Sequence, residues 1–108
     1  MRSLTRKEEL IMLSILNLKK EAYLIAIVDQ LSKITGKKVS LTSVHLPLGR
    51  LEKAGLIASE FGESTAVRGG RRKKIYKITK SGYGLLVEHK RISDILWKSF
   101  IKLSSPMD

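Results

Sequence analysis

No cysteine occurs among the 108 residues, so disulfides, thiolate zinc sites and thiol nucleophiles are excluded. Histidine is scarce too. The two present, His45 and His89, fall in different predicted elements, and two isolated imidazoles do not make a metal site. The apolar stretch over residues 10–16 is far too short to span a bilayer. No signal-peptide pattern opens the chain, so a cytoplasmic protein with no membrane partner is expected. Acidic residues are outnumbered: 10 Asp plus Glu stand against 21 Lys plus Arg, a net charge of +11. A surplus of that size repels itself in a monomer and seeks a polyanion. No glycine-rich phosphate loop follows a strand, and no carboxylate pair stands out for acid–base work. Glu8 and Glu9 belong to a helix start, where acids complement the dipole. These absences argue against an enzyme, and no cofactor or metal is expected.

What is present is helical periodicity with a basic hairpin. Thr5 and Glu8 have capping-box spacing just before an apolar run, which predicts a helix over 6–18. That helix is apolar on more than one stripe and needs cover on two sides. Ala22, Ile25, Val28, Leu31 and Ile34 recur at spacings of three and predict a second helix over 21–35, with Gly36 at a left-handed cap. A brief strand is expected around Val39. Val44, Leu48 and Leu51 define a third helix, expected to start close to Ser43 with a distorted first turn because of Pro47, and to end at Gly55. Strands follow over 56–61 and 75–78, joined by a polar, glycine-bearing tip over 62–74. Thr79 then caps a helix over 80–103, about 36 Å long. The tail, 104–108, should be loose.

This order, α-α-β-α-β-β-α, predicts a mainly helical fold with a small β-wing: a winged helix-turn-helix over residues 1–79, followed by a C-terminal dimerisation helix over 80–104. With the core stripe of the third helix turned inward, Thr42, Ser43, His45, Leu46, Arg50 and Lys53 are candidates for its outer, DNA-facing side. From Arg68 to Lys80 there are seven basic residues and no acidic one. Arg68, Arg71, Arg72, Lys73 and Lys74 at the hairpin tip are therefore expected to meet phosphates, with Gly69 and Gly70 letting the main chain approach them. In the last helix Leu85, His89, Ile92, Leu96 and Leu103 approximate a heptad seam, with His89 as its polar interruption, and Trp97 and Phe100 widen it. A helix longer than a core of this size can shield predicts a homodimer.

The segment SLTSVHLPLGRLEKAGLI (40–57), followed by RGGRRKKIYKITKSG (68–82), resembles PadR-like transcriptional regulators. Ala22 and Tyr23 fit the family's Ala-Tyr at the start of its second helix. The resemblance runs over about 4–87. It implies a homodimeric winged-helix protein that binds double-stranded DNA, usually a repressor, with one C-terminal dimerisation helix. It maps the DNA-contacting helix onto 42–53 and the wing onto 62–74. Some relatives respond to small aromatic compounds, so a small aromatic effector is among the partners it implies. The chain departs from the family's pattern at His45, where tyrosine is frequent, at Gly49, where a polar or charged residue is more usual, and at Leu24, where many relatives have glycine. The position of Pro47 also departs, since a family proline tends to come earlier. The competing reading is a winged-helix module that binds protein or RNA instead, since this fold does not dictate one function.

Overall fold

The computed structural model describes residues 2–62 and 73–103. The first helix, α1 (Arg6–Leu18), starts where the capping box places it. The Glu8 main-chain N–H donates to Thr5 Oγ1 at 3.1 Å, and the Thr5 N–H donates back to Glu8 Oε1 at 2.9 Å. Arg2 adds an ion pair at 2.7 Å to the other oxygen. Burial by itself would raise the Glu8 carboxyl, but the Arg2 and Thr5 hydrogen bonds and the Arg2 charge outweigh it and hold the group below the usual carboxylate range. Ile11, Met12 and Ile15 of α1 are buried, while Leu13 and Leu16 remain exposed on its other side.

A single 3₁₀ turn (Lys19–Glu21) follows, with Lys19 in the positive-φ region at 53°. The second helix, α2 (Leu24–Thr35), therefore starts three residues later than the apolar spacing suggests. Its inward stripe also differs. Ile27 and Leu31 are buried and Leu24 and Val28 pack against the core, whereas Ile25 (65%) and Ile34 (61%) are exposed. Residues three apart fall short of a 3.6-residue turn, so a series of threes walks around the helix and off the core. Gly36 closes α2 in the left-handed region at φ 69°, as expected.

No strand forms at Val39. Its N–H donates to Ser32 Oγ at 3.2 Å and its side chain packs on the core. The extended piece is instead Ala22–Tyr23. Tyr23 bridges Ile75, and the Tyr76 N–H donates to Ala22 O at 2.8 Å. The free edge of the hairpin is thus used by the entry to α2, leaving no partner for Val39. The third helix, α3 (Leu41–Lys53), is capped by Ser40, not Ser43, and runs through Pro47. Proline removes the bond that Ser43 O would accept, but Pro47 is buried alongside Val44, Leu48 and Leu51 and continues the inward stripe.

Strands β1 (Ile57–Phe61) and β2 (Lys74–Ile78) pair antiparallel, Ile57 opposite Ile78 and Phe61 opposite Lys74. Ile57 and Tyr76 close the core at the root, while Phe61 and Lys74, nearer the tip, are exposed. The architecture is thus mainly helical with a small two-stranded wing. The last helix, α4 (Lys80–Leu103), is anchored at its start. Thr79 Oγ1 donates to Gly55 O at 2.7 Å and accepts from the Gly82 N–H at 3.1 Å. Gly82 is pressed so closely on the α3–β1 turn that a Cβ there would lie 1.9 Å from Leu56 O. Only glycine permits that approach.

Two outcomes follow. Gly82→Ala should cost about 3 kcal/mol or more in urea unfolding, whereas Gly84→Ala, whose Cβ meets nothing within 4 Å, should gain up to about 1 kcal/mol. Glu8→Gln should lower the unfolding midpoint at pH 7. Because the folded-state carboxyl is depressed, its contribution is present above the unfolded pKa of about 4.3 and disappears as pH falls through the folded value. The gap between variant and wild type should therefore close in acid.

Candidate nucleic-acid interface

Helical geometry divides α3 cleanly. Thr42, His45, Leu46, Gly49, Arg50 and Lys53 are exposed on the side opposite Val44, Pro47, Leu48 and Leu51. Ser43 does not join them fully. It is half-buried and turned back on the cap, its N–H donating to Ser40 Oγ at 3.2 Å and its hydroxyl donating to Ser40 O at 2.8 Å. Arg50 and Lys53 have no carboxylate partner among the described residues. Some cations elsewhere are paired: Arg6 of α1 with Glu9 at 3.2 Å and Lys90 of α4 with Asp94 at 2.5 Å.

Two further cations stand at the head of α3. Lys37 and Lys38 share with Arg6 and Lys7 a cleft of about 650 Å³ between the start of α1 and the α2–α3 connection, next to Ser40 and Ser43. Sequence periodicity passed over these two lysines because they lie in a connection. Their signal was a pair of basic residues just before a serine cap, where a helix N-terminus already favours anions.

The wing root is tied to the helices. Lys73 Nζ sits 4.2 Å from the centre of the Tyr23 ring, a cation–π contact that leaves the ammonium accessible from its outer side. Lys74 is more committed than the sequence suggests. It pairs with Glu52 of α3 at 3.2 Å and lies 5.6 Å from the Tyr76 ring. The Ser59 hydroxyl donates to the same Glu52 carboxylate. That hydrogen bond and the Lys74 contact hold the Glu52 carboxyl below its usual range against a smaller opposing effect of burial. Glu52 thus ties α3 to both strands of the hairpin. Arg68, Gly69, Gly70, Arg71 and Arg72 lie outside the described residues.

The expected dimer seam divides in two. Leu85 packs on the core of its own domain, and His89 Nδ1 contacts Glu9 Oε2 of α1 at 2.9 Å. Beyond them Ile92, Leu96, Trp97 (58%), Phe100 and Leu103 (79%) are exposed. Trp97 and Phe100 meet edge to face, 5.4 Å between centres. With Arg6, Glu9 and His89 they line an open cavity of about 550 Å³. Among the described residues no helix is long and apolar enough to cross a membrane, and no cluster of metal-ligating side chains occurs.

A model of the transcriptional regulator PadR-like family matches residues 12–88. A PadR-like transcription factor from Bacteroides fragilis is similar at 30% identity over 92% of this chain and 93% of its own, with a TM-score of 0.69. A PadR family transcriptional regulator from Eggerthella lenta is also 30% identical over 91% of this chain and 83% of its own, TM-score 0.68. A PadR-like regulator from Bacillus cereus shares the fold at 24% identity, 92% and 91% coverage and a TM-score of 0.72. No curated protein sequence matches the chain.

The Glu52 tie has a measurable weight. Glu52→Gln should lower thermal stability by no more than about 1 kcal/mol, since the pair is partly solvated, and amide exchange in β1 and β2 should quicken more than in α1.

Proposed function

The chain belongs to the PadR-like family of transcriptional regulators, and from that premise we propose that it is a homodimeric repressor that grips duplex DNA with α3 in the major groove and the wing on the flanking backbone. The family's members regulate transcription and bind DNA, and the chain is not an enzyme. The observation that carries the finer reading is the outer face of α3. Arg50 and Lys53 lie there without a carboxylate partner among the described residues, Lys37 and Lys38 stand at the helix head, and Lys73 waits at the wing root. Cations left unpaired in the free protein meet phosphates without first breaking an internal ion pair. Each contact releases condensed counterions from the duplex.

A second copy of the chain is the natural cover for the far half of α4. Apolar residues are exposed between Ile92 and Leu103, and Leu13, Leu16, Tyr83 and Val87 border a groove between α1 and α4. So much exposed apolar surface supports an interaction site. Two α3 helices related by a two-fold axis would read half-sites roughly 34 Å apart. The cavity beside Trp97 and Phe100 lies on this same face, with Arg6 at its rim. Its aromatic walls support a small aromatic effector. We place the protein in the cytoplasm, with the DNA it regulates.

Fluorescence anisotropy on promoter duplex over a salt series tests the reading. Wild type should show a steep negative slope of log affinity against log salt. Neutralising Arg68, Arg71, Arg72 and Lys73 together should make that slope shallower by about 3 to 4 for each protomer bound. Unchanged affinity in a folded dimer would overturn it. Replacing Leu96 and Phe100 by glutamate should convert the solution mass from dimer to monomer and weaken duplex binding with it.

A further inference from the structure

Two residues on the outer face of α3 have no role within the chain. Leu46 is 56% exposed on a face otherwise made of Thr42, His45, Arg50 and Lys53. Gly49 stands one turn further on. Its φ is not positive, and a Cβ built on it meets nothing within 4 Å. Neither backbone conformation nor packing therefore calls for glycine at that position, and an interior glycine weakens a helix relative to alanine. Thr42, Leu46, Gly49 and Lys53 recur at i, i+4, i+7 and i+11, so they run along the centre of the exposed stripe, with His45 and Arg50 on either side. The result is a notch on the helix surface, floored by the Gly49 backbone and walled by an apolar side chain.

We propose that this notch receives the C5-methyl group of a thymine, making Leu46 and Gly49 specificity-determining residues of the interface. This rests on the reading of α3 as the groove-inserted helix. In the major groove the thymine methyl is the one apolar feature that distinguishes base pairs, and aliphatic side chains read it by contact. An exposed leucine is covered by such a contact at no desolvation cost to a polar partner. The bare Gly49 backbone allows α3 to sit deeper than a side chain would permit, and this depth brings Leu46 within van der Waals reach of the methyl. Arg50, next to the notch, is then set to donate to a neighbouring guanine or phosphate. The operator is accordingly expected to carry a thymine at a fixed step in each half-site.

The test uses the full chain and the duplex it selects from a random library. Each thymine of that duplex is replaced in turn by deoxyuridine, which removes the methyl alone. At one step in each half-site the replacement should weaken wild-type binding about fourfold, the worth of one buried methyl. Leu46→Ala should bind the selected duplex more weakly but lose its sensitivity to that replacement. Gly49→Ala should melt no lower than wild type and bind a scrambled duplex equally well, yet bind the selected duplex at least tenfold more weakly. Deoxyuridine tolerated at every step, or Gly49→Ala binding the selected duplex as tightly as wild type, overturns the proposal while leaving α3 as a DNA-contacting helix. Failure of wild type to bind any duplex overturns the DNA-binding reading itself, and this inference with it.

Discussion

The contact between Gly82 and the carbonyl of Leu56 fixes the direction in which α4 leaves the domain. Because no side chain intervenes, the helix axis comes down onto the α3–β1 turn at main-chain distance, and Thr79 holds it there by donating to Gly55 O and accepting from the Gly82 N–H. The position of the turn is itself set by α3, whose Leu48 and Leu51 are fully buried against α1 and α2. Helices α3 and α4 are therefore coupled through one short junction. Whatever partner α4 finds beyond Ile92, the orientation of α3 relative to it is transmitted through that junction.

The charge distribution repeats this division of labour. Several carboxylates sit beside a cation: Glu8 and Glu9 at the start of α1, Glu52 between α3 and the hairpin, Glu88 and Asp94 along α4. Each neutralises a neighbouring cation and ties local structure together. The face of α3 and its approach through Lys37 and Lys38 are left cationic. Part of the chain's net charge of +11 therefore stands uncompensated on and beside α3, where a polyanion would lie.

Much of the fold could be read from the sequence because its determinants are local. The Thr5–Glu8 box set the start of α1, Gly36 set the end of α2, and the 80–103 span of α4 followed from Thr79 and an unbroken helical pattern. The exposed residues of α3 followed from the period of Val44, Leu48 and Leu51. What escaped depended on contacts distant in sequence. The strand-like pairing belongs to Tyr23 because β2 offers its free edge there, and no local pattern says so. The inward stripe of α2 was misplaced because a spacing of three fits a helix only over short stretches. Lys74, a phosphate candidate on sequence, proved to be shared with Glu52 across two elements. The close approach at Gly82 is invisible until the turn it touches is placed.

Among the described residues, the wing root is closed by main-chain and side-chain contacts. The Gly62 N–H donates to Lys73 O at 2.8 Å, Lys73 rests on Tyr23, and Lys74 meets Glu52. The chain therefore leaves β1 and re-enters β2 through two pinned ends, and that spacing is fixed by Tyr23 and Glu52 as well as by the strands themselves.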